Sequence, residues 1–376
     1  MTLGRAGRIL ITGATGFIGR AVARRLLAAG EPVTALARRR DGASAAARVV
    51  TALGWVSSTA DLEVVEGDLG EPIAGLTVAD VARLRVTVET VIHCAGETVF
   101  FPEYPERFRV AHVGGPVSLL EALAAGRLRT WAHLSTAYVC GRRTGTVFEH
   151  EGDVGQDFHN PYERVKLEAE TAIRAAARRC GADLRVFRPS AVVGRAPHTA
   201  GGSPSALFFQ FIRTVATLAG AGPDSGPVRI PASPRARFNI VPLAYVARSL
   251  LTLARCPEGA GGTFHLVVAD APRQDAMLRM IVEPLGVRGV TLVEAPARPA
   301  EDATILERRL RLRVGRYRDY LSHDVCFDDA NARRALARHG LAPATLDAVA
   351  VGRLIGHALR ARRVPLSSPA PSSRQW

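Results

Sequence analysis

The sequence predicts an α/β fold with a doubly wound parallel sheet, and two observations support this prediction. Short apolar runs alternate with amphipathic stretches through the N-terminal half, and a glycine-rich turn joins the first run to the first amphipathic stretch. Such alternation is typical of parallel strands joined by right-handed helical crossovers, whose ligand site lies at the carboxyl ends of the strands. The 376 residues are 47% hydrophobic and 22% charged, which is a globular composition.

The periodicity of apolar residues predicts the individual elements of this sheet. Runs of apolar residues indicate strands, and apolar residues recurring every three or four positions indicate helices. The predicted strands are Ile9 to Thr12, Val33 to Ala37, Leu62 to Gly67, Thr90 to Ala95, Thr130 to Ser135, Asp183 to Phe187 and Thr263 to Val268. The predicted helices are Phe17 to Ala29, Val78 to Leu84, Glu106 to Ala125, Glu163 to Arg179 and Ser205 to Ala219.

Charge and cysteine content exclude several classes of protein. The net charge is +14, but the basic residues are spread along the chain without interleaved aromatic residues, so nucleic-acid binding is not predicted. Five cysteines without Cys-x-x-Cys spacing predict neither disulfides nor a metal site and suit a reduced cytoplasm. Apolar runs stay below the roughly 18 residues of a membrane span, and no secretory segment is visible, so a cytoplasmic location is expected.

A phosphate-binding loop is predicted directly after the first strand. Glycines at three-residue intervals permit a tight turn and close approach of the backbone, and the next helix presents free N–H groups to a pyrophosphate. A glycine-rich turn without a ligand is the alternative, but the position between strand and helix favours dinucleotide binding. The predicted contacts are Thr12, Gly13, Thr15, Gly16, Phe17, Ile18 and Gly19.

The end of the second predicted strand indicates which dinucleotide binds. A carboxylate there would hold the ribose hydroxyl of NAD, whereas arginine accommodates the 2′-phosphate of NADP. This chain has Arg38 and Arg39, so NADP is predicted, with solvated arginines as the alternative. Asp68 follows the third strand, where it could contact the adenine, and Leu69 and Ala95 complete this set of predicted cofactor contacts.

Tyr162 and Lys166 are candidate catalytic residues because a spacing of four places them on one face of a helix. Tyrosine titrates near ~10, and a neighbouring ammonium is expected to lower its pKa toward neutrality. Lysine also suits hydrogen bonds to ribose hydroxyls, and Lys166 is the one lysine in the chain. Upstream, Ser135 and Thr136 end a predicted strand, where a hydroxyl could bind a substrate carbonyl while Tyr162 supplies the proton.

Together these motifs resemble the extended short-chain dehydrogenase/reductases, which have a Rossmann fold. Within that superfamily the chain is most similar to the branch of fatty acyl-CoA reductases and thioester reductase domains. The resemblance implies Thr136 as the catalytic hydroxyl, with Ser135 as the fallback, and places Pro189 and Ser190 near the nicotinamide. The segments that carry it are Gly67 to Thr77, His133 to Val139, Phe187 to Gly194 and Tyr320 to Asn331.

Two positions depart from the pattern of this branch. His112 stands where relatives usually have asparagine, so it either replaces a polar contact or only packs. Ala244 stands where aspartate is frequent. No adenylation or carrier segment is recognisable, so any carrier protein is expected to act in trans.

The resemblance implies an NADPH-dependent reductase of a CoA-bound or carrier-bound acyl thioester, giving an aldehyde or alcohol. A ketone, aldehyde or sterol-type reductase on the same scaffold is the alternative, ahead of a sugar-nucleotide epimerase or a non-catalytic NADP-binding regulator. The Arg308 to Arg318 stretch is either a contact for phosphopantetheine or a solvated basic face. The oligomeric state is open, with a homodimer among the options.

Three regions are expected along the chain. Residues 1–190 form the NADP-binding domain, to which residues 236–268 return. Residues 191–235 and 269–363 form a smaller substrate-binding region, and the Ser/Pro-rich residues 364–376 form a disordered tail.

Overall fold

The elements follow from a computed structural model that describes residues 7–54, 61–194, 204–218, 228–294, 303–304, 307–308 and 318–360. Its strands are β1 (Arg8–Thr12), β2 (Val33–Ala37), β3 (Leu62–Glu66), β4 (Val88–His93), β5 (Thr130–Leu134), β6 (Gly145–Val147), β7 (Asp183–Pro189), β8 (Ala191–Val193), β9 (Val228–Pro231), β10 (Ile240–Pro242), β11 (Thr263–Leu266), β12 (Val290–Val293) and β13 (Val325–Phe327). Its α-helices are α1 (Phe17–Ala28), α2 (Ala45–Leu53), α3 (Val78–Thr87), α4 (Pro105–Arg109), α5 (Gly115–Ala124), α6 (Pro161–Cys180), α7 (Pro204–Leu218), α8 (Leu243–Leu253), α9 (Gln274–Val282), α10 (Arg318–Leu321), α11 (Ala330–Ala337) and α12 (Ala348–Arg360).

Seven parallel strands form the central sheet, in the order β11-β7-β5-β4-β1-β2-β3. The chain moves outward from β1 to β3 and then crosses back to β4, so the order reverses between β1 and β4. Such a reversal leaves a crevice at the carboxyl ends of the two strands, because their crossovers leave on opposite faces. The predicted doubly wound parallel sheet is confirmed.

Both faces of the sheet are covered by helices, which explains why its strands are almost continuously apolar. Successive side chains of β1 point to opposite faces. Ile9 and Ile11 pack with Val22 of α1 and Val246 of α8 in one core, whereas Leu10 packs in a second core. That second core contains residues of α3, α5 and α6.

A third core lies outside the sheet, in the part of the chain predicted to bind substrate. It joins α7, α9 and α12 to the two-stranded pairing of β9 with β12. The proposed division into domains stays a prediction. Residues 364–376 and most of the stretch from Arg308 to Arg318 lie outside the described residues.

The helix predicted from Glu106 to Ala125 is present, but the structure divides it into three consecutive helical segments. These are α4, a π-helical turn at Val110–Gly114, and α5. Pro116 has no N–H to donate to the carbonyl four residues earlier, and its ring would clash with it in a regular helix. A π turn relieves that conflict, and such turns are frequent at functional sites.

None of the helices in the described ranges is long and apolar enough to span a bilayer.

Candidate functional site

A cavity of about 190 Å³ lies at the carboxyl edge of the sheet, between the ends of β1 and β4. The first turn of α1, the ends of β5 and β7, and the start of α6 complete its walls. This is the crevice in which doubly wound sheets bind their ligands. The residues predicted from the sequence that line it are Gly16, Phe17, Ile18, Ala95, Ser135, Thr136, Tyr162, Lys166, Pro189 and Ser190.

The glycine loop passes so close to neighbouring backbone that side chains do not fit. Gly13 has a φ of +73°, and a Cβ there would lie 2.6 Å from the backbone nitrogen of Ala95. A Cβ on Gly19 would lie 2.3 Å from the carbonyl oxygen of Gly13. Gly16 is the N-cap of α1 and has no side-chain acceptor, which leaves donors of the first helical turn for a ligand. The loop therefore fits the pyrophosphate of a dinucleotide.

Thr12 lies beneath the loop and does not line the cavity. Its Oγ1 accepts a hydrogen bond from the backbone N–H of Ala95 at 3.2 Å and lies 2.9 Å from Nδ1 of His93. Both contacts join the end of β1 to the end of β4. Thr12 thus fixes the position of the loop, and Gly13, Thr15 and Gly19 also lie outside the cavity lining. The predicted cofactor contacts of these four residues stay predictions.

The arginines that follow β2 are paired with carboxylates. Arg38 lies between Glu97, at 2.6 Å from Nη2 to Oε1, and Asp68, at 3.7 Å from Nη1 to Oδ2. Arg39 contacts Glu66 at 3.2 Å. A 2′-phosphate at this place would therefore meet the Arg38 guanidinium together with two acids.

Leu69 is a core residue in the structure. Its side chain is buried in the cluster formed with α3, α5 and α6, and its carbonyl oxygen lies close to Gly115. Asp68, the preceding residue, lies 3.7 Å from Arg38, and the predicted contact of Leu69 with the cofactor stays a prediction.

The N-terminal part of α6 carries the two candidate catalytic residues. Asn160 is its N-cap, accepting a hydrogen bond from the backbone N–H of Glu163 at 3.1 Å, and Pro161 begins the helix. Tyr162 and Lys166, one turn apart, both line the cavity. The Nζ of Lys166 donates a hydrogen bond to the carbonyl oxygen of Leu134 at 2.7 Å.

Burial controls the protonation of both residues. It raises the pKa of Tyr162 to about 12, although a hydrogen bond with Thr98 acts in the opposite direction. It lowers the pKa of Lys166 to about 8, although the negative charge of Glu170 opposes this shift. The expected lowering of the Tyr162 pKa by the ammonium is therefore not what the structure shows, because desolvation of the phenolate dominates. Tyr162 is held protonated, in the form that donates a proton.

Ser135 and Thr136 both border the cavity, but their hydroxyls have different neighbours. Thr136 Oγ1 donates to the carbonyl oxygen of Pro189 at 3.4 Å and accepts from the backbone N–H of Tyr138 at 3.3 Å. The Ser135 hydroxyl lies beside the buried carboxylate of Glu170 and helps to hold its pKa low. This difference follows from the alternation of side chains along an extended segment and favours Thr136 as the substrate-binding hydroxyl.

Ser190 forms a hydrogen bond with an asparagine that the sequence analysis did not identify as a site residue. Its Oγ donates to Oδ1 of Asn239 at 2.7 Å, and all of these atoms are buried. Asn239 also exchanges two hydrogen bonds with the backbone of Val268. The segment at Pro189 and Ser190 is thereby fixed to β10 and to the chain after β11.

His112 uses both ring nitrogens to hold backbone. Its Nδ1 lies 2.8 Å from the carbonyl oxygen of Phe108, and its Nε2 accepts the N–H of Glu97 at 3.1 Å. Burial lowers its pKa to about 4, so the ring is neutral. His112 therefore makes two polar contacts with backbone, lines the cavity and fixes the loop after β4 that carries Thr98. The replacement of the asparagine contact of relatives by His112 stays a prediction.

Several lining residues were missed by the sequence analysis. The loop after β4 was predictable in principle, because the reversal point of a doubly wound sheet lies there. Phe238 and Tyr320 come from distant segments, and Tyr320 was noted only as part of the segment from Tyr320 to Asn331 that resembles the family. The missed residues with side chains or backbone at the cavity include Cys94, Gly96, Thr98, Phe100, Tyr138, Phe238 and Tyr320.

A cluster of donor atoms lies on another face, where no metal was predicted. Atoms of Cys256, Glu258 and His339 lie within 4.8 Å of one another. The Glu258 carboxylate is already paired with His339 at 3.1 Å and Arg338 at 3.5 Å. The prediction that the chain binds no metal stays a prediction.

Comparison with known proteins decides the family. Residues 11–250, more than half of the chain, match the NAD-binding family described as male sterility protein. The chain belongs to this family. The membership confirms the predicted resemblance, the Rossmann-like fold and the class of NAD(P)-dependent oxidoreductase, whereas it does not distinguish NADP from NAD.

The curated relatives of this male sterility family protein are several times longer than the matched segment. A carboxylic acid reductase from Segniliparus rugosus is 26% identical over 297 residues, which cover 72% of this chain and 24% of the reductase. The chain spans about a quarter of the length of the curated relatives it matches.

Two solved structures share the fold. The terminal R domain from the myxalamid PKS-NRPS biosynthetic pathway has a TM-score of 0.77 and 22% identity, covering 96% of this chain and 93% of that domain. A thiolation-reductase di-domain from an archaeal non-ribosomal peptide synthetase has a TM-score of 0.73 and 18% identity, covering 95% of this chain and 76% of that protein.

Proposed function

We propose that this protein is an NADPH-dependent reductase that reduces the carbonyl of an acyl thioester. The proposal rests on one observation, which is that the glycine loop, Thr136, Tyr162 and Lys166 line the same cavity. The likeness to an R domain and to a thiolation-reductase di-domain supports a thioester over a simple ketone.

Each residue has a distinct part in this chemistry. The bound nicotinamide supplies the hydride. Thr136 binds the carbonyl oxygen of the substrate, and Tyr162 gives its proton to that oxygen as negative charge develops there. Lys166 holds the cofactor ribose through its ammonium. Formation of a C–H bond from the hydride and of an O–H bond from the Tyr162 proton converts the thioester to a hemithioacetal. Cleavage of the C–S bond in this hemithioacetal gives an aldehyde and a free thiol.

The thiol partner of the substrate is proposed to be CoA or a carrier protein. Both carry phosphopantetheine, so their phosphates favour a basic surface. The contact of phosphopantetheine with the stretch from Arg308 to Arg318 stays a prediction, because most of that stretch lies outside the described residues. Because the substrate arrives as a thioester, no activation step is required of this chain.

The proposal is tested by NADPH oxidation with a panel of acyl-CoA thioesters and the matching free aldehydes. We expect oxidation with thioesters, accompanied by one free thiol for each aldehyde formed, and slower oxidation with NADH. Thiol release is measured against enzyme alone, because the protein has five cysteines of its own. Oxidation with aldehydes only would make the protein an aldehyde reductase instead.

Replacement of Arg38 should change the preference between cofactors. A charge-assisted hydrogen bond contributes about 1.5–3 kcal/mol, so Arg38→Ala should raise KM for NADPH by roughly 10- to 100-fold and leave KM for NADH nearly unchanged. Arg40→Ala is the matched control, because Arg40 belongs to the same run and pairs with Asp41. An equal rise of KM for NADPH and NADH in Arg38→Ala would show that this arginine does not bind the 2′-phosphate.

Cofactor affinity should depend on pH through Lys166. Its pKa of about 8 means that the ammonium is present below pH 8 and is lost as pH rises above it. NADPH affinity, measured by fluorescence titration, should therefore fall between pH 7 and 9. The variant Lys166→Met should bind more weakly and show no such fall. A fall of the same size in this variant would assign the pH dependence to another group.

A further inference from the structure

Tyr320, from α10 near the C-terminal end of the chain, reaches the first turn of the catalytic helix. Its side chain is buried, with 5% of its surface exposed. Its hydroxyl donates a short hydrogen bond to Oε1 of Glu163 and accepts one from Nδ2 of Asn160 at 2.8 Å. These two partners come immediately before and after the Pro161–Tyr162 pair, more than 150 residues away in sequence.

Glu163 and Asn160 also form hydrogen bonds with the backbone of this turn. Glu163 is 0% exposed, and its Oε2 accepts the backbone N–H of His159 at 2.8 Å. Asn160 Oδ1 accepts the backbone N–H of Glu163. A capping residue and a reciprocal carboxylate satisfy donors at the start of a helix and fix its entry angle. The Tyr320 hydroxyl bonds to both side chains, so it completes this arrangement.

The ring of Tyr320 reaches the catalytic tyrosine by a second route. It borders the cavity and lies 5.6 Å from the ring of Phe100, which lies 6.1 Å from the ring of Tyr162. On its other side it meets Tyr138 edge-on at 5.0 Å. Aromatic contacts at these distances are favourable. Both the backbone and the ring of Tyr162 are thus adjacent to groups held by Tyr320.

We propose that Tyr320 is a positioning residue for Tyr162: its hydroxyl locks the turn that carries the proton donor, and its ring forms the neighbouring wall of the substrate cavity. This inference rests on the proposed function only for the identity of the substrate. The anchoring of the turn by Tyr320 is a property of the folded protein and does not depend on that identity. In this proposal, α10 contributes a residue that positions the proton donor.

The kinetic test is Tyr320→Phe, which removes the hydroxyl and keeps the ring. A small displacement of a reacting group lowers the rate strongly, so we expect kcat to fall about tenfold, while KM for the carbonyl substrate stays within about twofold. The matched control is Tyr245→Phe in α8, away from the cavity, which should retain parental kcat. The assay uses whichever carbonyl the parent reduces, so failure of the thioester proposal leaves this test intact.

Hydrogen exchange provides a readout that requires no substrate. The peptide spanning residues 159–166 should exchange faster in Tyr320→Phe than in the parent or in Tyr245→Phe, because the turn has lost its anchor. Unchanged exchange in this peptide overturns the proposal. A lower thermal stability with unchanged kcat also overturns it, because Tyr320 would then have only a structural role.

Discussion

Tyr162→Phe is expected to lower kcat by about 10²–10⁴-fold, the usual contribution of a general acid. The hydroxyl of Tyr162 faces a cavity formed by Thr136, Lys166 and the glycine loop, and burial keeps it protonated. Phenylalanine retains the ring and its packing, so NADPH binding and thermal stability should stay at parental values. The measurement is NADPH oxidation at saturating substrate, with binding followed by fluorescence.

Tyr245→Phe again serves as the control for loss of a tyrosine hydroxyl elsewhere in the chain. A Tyr162→Phe variant with kcat within about threefold of the parent would contradict the assignment of the proton donor. The reaction would then take its proton from another group at the cavity, such as a bound water.

Arg188→Met is expected to lower the free energy of unfolding by about 3–5 kcal/mol, because it removes the bidentate partner of the buried Glu170 carboxylate and leaves the more distant Arg174, at 3.8 Å. Arg188 donates to Glu170 through Nε at 2.9 Å and through Nη2 at 2.6 Å. Its Nη1 donates to the carbonyl oxygen of Glu151 at 2.7 Å. The Arg188 and Glu170 side chains are only 1% and 2% exposed, so water cannot replace the lost contacts. Urea denaturation of parent and variant measures the difference.

Two further variants show whether the buried Glu170 charge, without its bidentate partner, causes this loss. Arg179→Met removes an exposed ion pair with Glu121 and should cost less than about 1 kcal/mol. The double variant Arg188→Met/Glu170→Met replaces both charges by apolar groups and should recover part of the stability. A double variant less stable than Arg188→Met alone would contradict this explanation.

Much of the sheet could be predicted from local pattern. Strand β2 has the predicted bounds, and β1, β3 and β5 differ from prediction by one residue at one end. β1, β2 and β5 are buried along almost their whole length and are rich in apolar residues, which makes them easy to recognise, whereas β3 is a partly exposed edge strand. The interruption of the helix around His112 was missed, because apolar periodicity does not show the effect of Pro116 on hydrogen bonding.

The candidate site was predictable where its residues form a local motif. Gly13, Gly16 and Gly19 lie within seven consecutive residues, and Tyr162 and Lys166 are four residues apart on one face of α6. Tyr320 and Phe238 could not be found in this way, because long-range packing alone brings them to the cavity. The pKa of Tyr162 was also misjudged, since the sequence shows the nearby lysine but not the depth of burial.

The sequence by itself determined the parallel sheet, the phosphate loop and the pairing of Tyr162 with Lys166, because each depends on residues close together in the chain. Only the tertiary structure decided what the Ser135 and Thr136 hydroxyls contact, which acids flank Arg38 and how strongly Tyr162 retains its proton. These properties depend on burial and on contacts between distant segments. A local sequence pattern shows neither the burial of a residue nor its contacts with distant segments.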